Sequence, residues 1–307
     1  DDFTTTVIQA LIEQTGLKGE DVDDLICGCA FPEGEQGLNL GRMLVFLTGL
    51  PHDVAGQTVN RWCGSSMEAI HIAAGNIAAG KGEVFVCAGV ESMTRIPMGG
   101  YKPVPNYKTA HEGHESYYWG MGLTAEAVAE KYKVSKEDQN AFAYQSHQKA
   151  IKAQSEGRFK DQIVPIEVEE IFVDHSNKKQ TKTYTVDQDQ GPRADTSEEV
   201  LNKLRPVFAE GGSVTAGNSS QMSDGAAFVM VMSEDMVKEL NLEPVAKLVS
   251  YAAAGVEPRI MGIGPIKAIP KALDQAGLKL TDIELIELNE AFASQYLAVR
   301  RELEINP

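Results

Sequence analysis

A ten-residue segment occurs twice in the chain, and this internal repeat constrains the fold more than any other feature. Residues 14–23 (QTGLKGEDVD) align with residues 275–284 (QAGLKLTDIE) without a gap, at an offset of 261. In each copy a predicted helix, at 5–15 or at 265–276, ends at a glycine, and a turn that contains a lysine follows. The repeat therefore predicts two halves that begin with the same local structure.

An apolar segment follows each copy and predicts a buried strand, at 25–29 in the first half and at 285–288 in the second. Further helices are predicted beyond these strands, at 39–47 and at 292–303. Helices that alternate with apolar strands indicate a parallel sheet that is covered by helices on both faces. The chain is therefore predicted to be an α/β protein built from two pseudo-symmetric halves.

The region between the halves has a different composition. It carries Pro97, Pro103 and Pro105, then a long helical stretch at 122–157 and a charged, strand-like stretch at 163–185. We therefore predict three domains. They are an N-terminal half formed by 1–94 and 214–243, an inserted surface domain at 95–213, and part of a C-terminal half at 244–307.

Charge and composition exclude several classes of function. The chain has 307 residues and a formal net charge of −16, which argues against nucleic acid or an anionic membrane as the main partner. No apolar stretch approaches the roughly 18 residues of a membrane span. Cysteines at 27, 29, 63 and 87 lie in apolar or strand-like segments, which indicates a reducing compartment, and a cytoplasmic protein is expected. No second ligand pair accompanies the first two cysteines, so no metal site is predicted.

Cys63 is the strongest candidate for a nucleophile. A predicted strand at 54–59 precedes it and a predicted helix at 67–79 follows it, with Ser65 and Glu68 spaced as a capping box. Backbone N–H groups and the positive end of a helix dipole stabilise a thiolate at such a position. A buried structural thiol is the alternative for an isolated cysteine, but the order of strand, turn and helix favours a reactive one.

Two further segments carry polar groups suited to a ligand. Small residues dominate 211–220 (GGSVTAGNSS), where the lack of bulky side chains would let a ligand approach the backbone. Asn289 follows the apolar stretch at 285–288, and ligand groups gather at strand ends in α/β sheets. Each signal is weak alone, since a tight turn explains the first and a buried structural amide explains the second.

Taken together, these segments resemble the thiolase family over essentially the whole chain. The matching runs are VNRWCGS at 59–65, AGVESM at 88–93, the segment 212–224, MGIGP at 261–265 and NEAFASQ at 289–295. The resemblance implies the five-layered αβαβα thiolase fold, with an inserted loop domain that binds coenzyme A. It also implies a homodimer or homotetramer, and coenzyme A as a substrate rather than a resident cofactor.

The resemblance also implies roles for individual residues. Cys63 would attack the keto carbon of a 3-ketoacyl-CoA, acetyl-CoA would leave, and a second coenzyme A would take the acyl group from the cysteine. Asn289 would hold the water of one oxyanion hole, and the backbone N–H of Cys63 would serve the other. The implied coenzyme A and acyl contacts are Met121, Arg193, Phe208, Ala216, Ser220, Met261, Ala291 and Phe292.

Departures from the family pattern bear on the expected activity. Gly120 precedes Met121, where short-chain biosynthetic thiolases have histidine, and this favours a degradative enzyme of fatty acid β-oxidation. Beyond the segment at 289–295, the sequence does not contain the Gly-His-Pro and Cys-x-Gly motifs that supply the base and the acid of the family, and the opening strand of the family is missing as well. We therefore expect an incomplete C-terminal half, and we expect a polypeptide limited to these residues to be poorly soluble and nearly inactive.

Two alternatives remain open from the sequence. A related Claisen enzyme, either acetoacetyl-CoA thiolase or a condensing synthase, would share the fold. A condensing synthase would use two histidines or a His-Asn pair, and the Asn289 segment speaks against it. A relative that binds coenzyme A or lipid without catalysis would explain the absent motifs, but not the retained Cys63 and Asn289.

Overall fold

The computed structural model describes residues 2–111 and 113–306, so the two terminal residues and residue 112 of the predicted inserted domain lie outside the described chain. The chain forms two compact units. The first contains the residues up to 103 together with 159–189 and 222–247, and the second contains 104–158, 190–221 and the residues from 248 onward. The predicted inserted region contributes to both units, and the division into three domains remains a prediction.

Helices occur in both units, whereas the six described strands all belong to the first unit. The α-helices are α1 (Asp2–Thr15), α2 (Leu40–Leu47), α3 (Ser65–Ala78), α4 (Tyr107–Ala110), α5 (Met121–Tyr132), α6 (Lys136–Ser155), α7 (Glu198–Lys203), α8 (Glu234–Glu239), α9 (Gly264–Ala276) and α10 (Ala293–Glu302), and the strands are β1 (Asp24–Gly28), β2 (Ala55–Val59), β3 (Val84–Glu91), β4 (Ile166–Val173), β5 (Lys179–Val186) and β6 (Gly225–Met232). The helical stretch predicted at 122–157 is two helices, because Lys133 adopts a left-handed conformation that ends α5 and Ser135 caps α6.

The sheet of the first unit has the strand order β2-β1-β3-β6. Strand β1 pairs in parallel with both β2 and β3, as the sequence predicts, whereas β6 lies antiparallel beside β3. Strands β4 and β5 form a separate antiparallel hairpin that covers most of the strand-like stretch predicted at 163–185. The α/β fold class is confirmed, with a mixed sheet instead of a purely parallel one.

Helices cover both faces of this sheet. On one face, α1 and α2 pack through Ile8 and Leu44 against side chains such as Val86, all fully buried. On the other face, α3 packs through Ala69 against Phe85, and both are buried. Because side chains alternate along a strand, β1 sends residues into both helical layers and is buried almost throughout. This double burial explains why its sequence is continuously apolar.

The two copies of the repeat fold alike. Gly16 and Gly277 follow α1 and α9 in the left-handed conformation, with φ of 67° and 68°. The same hydrogen bond closes the turn in each copy. The Asp21 carboxylate accepts the backbone N–H of Lys18 at 2.9 Å, and the Asp282 carboxylate accepts the backbone N–H of Lys279 at 2.8 Å. The repeat is therefore a repeated helix end and turn.

The strand predicted at 285–288 is wrong. These residues join no ladder in the described chain, and the Leu285 side chain is 78% exposed. A strand needs a neighbour that satisfies its backbone N–H and C=O groups, and none of the described segments pairs with this one. Helices α9 and α10 form on either side of it as predicted, so the second half keeps the helical part of the pattern.

The second unit is built on α5, α6 and α10. Val128 and Ala298 are buried where these helices meet the 3-10 turn Pro258–Ile263, and the rings of Phe142 and Tyr296 stack with their centroids 4.3 Å apart. The packed helices form a scaffold for the loops that carry the candidate ligand groups.

Among the residues that the structure describes, no helix has the length and apolar character needed to span a membrane.

Replacing Gly16 by alanine should destabilise the protein, and replacing Gly75 by alanine should stabilise it. Gly16 has a φ of +67°, which costs a residue with a Cβ atom about 1 kcal/mol. Gly75 lies inside α3 with open space around the position of a Cβ, and alanine gains roughly 0.5–1 kcal/mol in a helix interior. Thermal unfolding measures both effects. A Gly16→Ala protein as stable as the wild type would contradict the left-handed conformation.

Candidate active site

The turn between β2 and α3 holds Cys63, as predicted. Trp62 has a φ of 49°, a conformation that residues other than glycine adopt rarely. Its backbone N–H donates to Asn60 Oδ1 at 2.9 Å, and Asn60 Nδ2 donates to the carbonyl of Ala30 at 2.9 Å. The turn is therefore sharp and tied to the segment just after β1, and it exposes the Cys63 side chain.

The capping box predicted for Ser65 and Glu68 is wrong. Gly64 is the N-cap of α3, and Ser65 is already the first helical residue. The sharp turn brings the Ser65 hydroxyl back over the preceding residues, where it donates to the carbonyl of Trp62 at 2.6 Å and accepts the backbone N–H of Arg61 at 2.8 Å. Glu68 pairs instead with the Arg61 guanidinium, N to O 2.9 Å. The serine therefore closes the turn that carries the candidate nucleophile.

The other three cysteines are buried. Burial raises the pKa of the Cys27 thiol far above its usual range. Burial, with a smaller effect of the nearby Glu91 carboxylate, raises the pKa of Cys29 to about 12. Burial is also the largest cause that raises the pKa of Cys87 to about 12. The thiolate is the nucleophilic form, so burial disfavours the reactive form of these three residues near neutral pH.

In the second unit, buried amides hold the small-residue loop at 213–220. Asn218 Oδ1 accepts the backbone N–H of Thr215 at 2.8 Å, and Asn218 Nδ2 donates to Asn140 Oδ1 on α6 at 3.0 Å. Glu126 on α5 accepts two consecutive backbone N–H groups at the start of the loop, both at 2.9 Å. The loop is therefore a fixed part of the unit and more than a connecting turn.

The same loop is joined to the segment that carries Asn289. Ser219 and Phe292 form an antiparallel bridge, and the backbone N–H of Ser220 donates to the carbonyl of Ala291 at 3.0 Å. The structure thus brings together two segments that are about 70 residues apart in the sequence and that both carry predicted ligand groups. Asn289 is exposed at the start of its segment, so it is not a buried structural amide.

All predicted site residues other than Cys63 belong to the second unit. Four of them form an apolar group beside the loop at 213–220, namely Met121, Phe208, Ala291 and Phe292. Within this group the two phenylalanine rings meet edge to face, with centroids 6.1 Å apart. Ala216 and Ser220 are exposed on the loop itself, and Met261 is 40% exposed on the 3-10 turn Pro258–Ile263.

Arg193 belongs to a charged group that the sequence did not predict. Its guanidinium pairs with a neighbouring aspartate at 2.9 Å, and its backbone N–H donates to His147 Nδ1 on α6 at 3.1 Å. The adjacent Ser146 hydroxyl donates to Glu290, the residue after Asn289, at 2.5 Å. Burial, followed by the charge of Arg193, lowers the pKa of His147. One turn of α6 therefore holds both the arginine and the Asn289 segment.

Comparison with known proteins identifies the family. The protein-family model of the thiolase N-terminal domain matches residues 1–235, and the protein-family model of the thiolase C-terminal domain matches residues 242–307. The whole chain aligns with 78% of a 3-ketoacyl-CoA thiolase of Bacillus subtilis strain 168 at 49% identity, and with 78% of a probable acetyl-CoA acyltransferase of Staphylococcus aureus strain COL at 40% identity. The structure also superposes on the crystal structure of the Bacillus anthracis acetyl-CoA acetyltransferase, with a TM-score of 0.85 and 37% sequence identity. The superposition covers 98% of the present chain and 77% of the acetyltransferase chain.

The chain therefore belongs to the thiolase family. Its relatives are acyltransferases, and this protein is an enzyme of the same class. The predicted family and the predicted thiolase α/β fold are confirmed.

Iodoacetamide should modify Cys63 well before Cys27, Cys29 or Cys87 in the folded protein. Cys63 is exposed beside the start of α3, whereas burial of the other thiols disfavours their thiolates. Peptide mass spectrometry after treatment with limiting reagent gives the order of modification. The Cys63→Ser variant is the control and should remain unmodified over the same time. Faster labelling of a buried cysteine would contradict the assignment of Cys63.

The His147 imidazole should titrate below the ordinary histidine pKa of about 6.5. Its folded-state pKa is lower than its unfolded-state pKa, so the unfolded state binds more protons between the two values. The contribution of this group to stability is therefore present above about pH 6.5, and it is lost as the pH falls through the folded-state pKa. NMR titration measures the pKa. The Arg193→Gln variant should show a higher value, and an unchanged value would refute the assigned charge effect.

Proposed function

We propose that the enzyme cleaves 3-ketoacyl-CoA thioesters by thiolysis, with coenzyme A as the second substrate. The products are acetyl-CoA and an acyl-CoA that is two carbons shorter. The observation that carries the proposal is Cys63, an exposed thiol in a sharp strand-turn-helix connection of a thiolase-family chain. The substrate class is supported by the 49% identity to a 3-ketoacyl-CoA thiolase.

The reaction has two half-reactions that share a Cys63 acyl-enzyme. In the first, the Cys63 thiolate attacks the keto carbon, and the bond between the α and β carbons breaks. Its electron pair remains on the α carbon, which takes up a proton, and acetyl-CoA leaves while the acyl group stays on sulfur as a thioester. In the second, the coenzyme A thiolate attacks this thioester, and the shortened acyl-CoA leaves as the Cys63 thiolate re-forms.

Two groups are proposed to stabilise the negative oxygen that forms at each attack. Asn289 holds a water molecule in one oxyanion hole, and the backbone N–H of Cys63, in the turn before α3, serves the other. The exposure of Asn289 supports its role, because a ligand can reach the amide. The hydrogen bonds between its segment and the loop at 213–220 keep the segment in place without using the Asn289 side chain.

Coenzyme A is proposed to bind to the second unit as a substrate, and no resident cofactor or metal is needed for the reaction above. The proposed coenzyme A contacts are Met121, Arg193, Phe208, Ala216, Ser220, Ala291 and Phe292, and Met261 is proposed to line the acyl site. The apolar group beside an exposed loop supports this assignment, and so does the exposed Arg193 guanidinium, which can meet a phosphate. In the parts of the chain that the structure describes, no cluster of His, Cys, Asp or Glu could hold a metal ion.

An acetoacetyl-CoA thiolase is the second candidate, and the likeness to an acetyl-CoA acetyltransferase structure supports it. Gly120 favours the first candidate. It lies at the start of α5, and no atom lies within 4 Å of the position that its Cβ would take, so no side chain at this position would obstruct a longer acyl chain. A binding protein without catalysis is disfavoured because the exposed thiol is retained.

Chain-length preference separates the two catalytic candidates. We expect 3-ketoacyl-CoAs with roughly six to ten carbons to acylate Cys63 at least as fast as acetoacetyl-CoA, since apolar pockets discriminate weakly between added methylenes. The Gly120→His variant fills the open space and should slow the longer substrates more than acetoacetyl-CoA. Single-turnover kinetics with matched substrates measure both. A strong preference of the wild type for acetoacetyl-CoA would favour the second candidate.

Formation of the acyl-enzyme is the direct test of the proposed function. Incubation with a 3-ketoacyl-CoA should add one acyl group to the intact mass, and peptide mapping should place it on Cys63. The Cys63→Ser variant should show no stable adduct, and Asn289→Ala should slow acylation by about 10²-fold through loss of one oxyanion hole. A wild-type protein that binds the substrate without forming the adduct would refute the proposal.

The wider setting is also a proposal. The enzyme would act in the cytoplasm, in fatty acid β-oxidation, as a homodimer or homotetramer. Strand β2 is at the edge of the described sheet, and the neighbouring α2 exposes Met43, Phe46 and Leu47 by 42–45%, which supports association through this edge. Light scattering measures the oligomeric state, and Phe46→Glu should shift it toward the monomer.

A further inference from the structure

Two glycines lie side by side in the sheet where α3 begins. Gly28 of β1 and Gly89 of β3 are partners in the parallel ladder. Each follows, by two residues, a side chain that packs against α3, namely Ile26 on β1 and Cys87 on β3. Because every second residue of a strand points to the same face, both glycines face the helix.

The first turn of α3 approaches the sheet so closely that no side chain fits between them. A Cβ atom on Gly28 would lie 2.5 Å from the backbone carbon of Ser65 and from the backbone nitrogen of Ser66. A Cβ atom on Gly89 would lie 2.1 Å from Ser66 Oγ and 3.0 Å from Ser66 Cβ. Neither glycine has a positive φ. Glycine is therefore required at these two positions by the close approach of the helix and not by the backbone conformation.

We infer that Gly28 and Gly89 are positioning residues for the Cys63 nucleophile. Cys63 precedes Ser65 by two residues, and the Ser65 hydroxyl ties the turn to the start of the helix through two hydrogen bonds. Any shift of the first helical turn therefore moves the thiol as well. The absence of two side chains sets the distance between this turn and the sheet. The inference rests on the proposed function, in which Cys63 attacks an acyl-CoA.

The two glycines should differ in how strictly they are required. Alanine at 28 meets backbone atoms that cannot rotate away, so the start of α3 must move. Alanine at 89 meets first a hydroxyl that can rotate, and a smaller shift then relieves the remaining contact with Ser66 Cβ. Since a misplacement of about 1 Å costs about 10²-fold in rate, Gly28→Ala should slow acylation of Cys63 about 100-fold and Gly89→Ala about tenfold.

The two variants provide matched controls. Deleting the Ser66 side chain removes both atoms that alanine at 89 would meet, so Gly89→Ala with Ser66→Gly should acylate at the rate of Ser66→Gly alone. The same deletion should not rescue Gly28→Ala, which meets backbone. Gly75→Ala lies on the same helix with open space around it, and it should acylate at the wild-type rate.

The experiment measures two rates on each folded variant. One is acylation of Cys63 by a 3-ketoacyl-CoA, followed by intact mass, and the other is alkylation by iodoacetamide. Because alkylation needs only an accessible thiolate, we expect it to change by less than about threefold while acylation falls. Loss of folding would change both. Circular dichroism confirms that each variant is folded.

Each outcome is decisive. A folded Gly28→Ala protein that acylates at the wild-type rate would overturn the inference. If Gly28→Ala does not fold, the Gly89→Ala variant decides. An unchanged acylation rate of Gly89→Ala would also overturn the inference. A lowered rate that the added Ser66→Gly substitution does not restore would overturn it as well. Failure of the wild type itself to become acylated refutes the proposed function instead, so the two failures are distinguishable.

Discussion

The first unit depends on β1, which is buried on both faces and paired on both edges. Strands β2 and β3 occupy its edges, and helices from both sides pack on its alternating side chains. The end of this strand and the segment just after it also support the nucleophile turn. The carbonyl of Ala30, two residues beyond β1, accepts a hydrogen bond from Asn60, and Gly28 leaves room for the start of α3. Core packing and the proposed chemistry therefore share one strand, because the same rigid element fixes both.

The second unit achieves rigidity by other means. Its ligand loop is held by buried amides and a carboxylate, with Asn218 fully paired between the loop backbone and Asn140. Buried polar groups of this kind are costly unless satisfied, and when satisfied they select one conformation. The loop therefore presents exposed residues such as Ala216 on a backbone that cannot easily rearrange. A preorganised surface of this kind lowers the ordering cost of binding a flexible ligand.

The sequence predicted the features that depend on local periodicity and on short motifs. The repeated helix ends, strand β1, and the order of strand, turn and helix around Cys63 all follow from neighbouring residues. The predictions failed where distant parts of the chain decide. The strand at 285–288 lacks a described partner, and the Ser65 hydroxyl is used by a turn whose shape the spacing does not reveal. Glu126 and His147 were missed because their partners lie 87 and 46 residues away in the chain.

The burial of three of the four cysteines has a consequence for the response of the protein to oxidants. Peroxide reaches an exposed thiolate and converts it to sulfenic acid, whereas sulfur atoms inside the core are shielded. Oxidative damage would thus begin at the residue proposed to carry the acyl group, while the packing of the sheet stays intact. Activity would be lost in a protein that is still folded, and thiol reductants could restore it until the sulfur reaches the sulfinic stage.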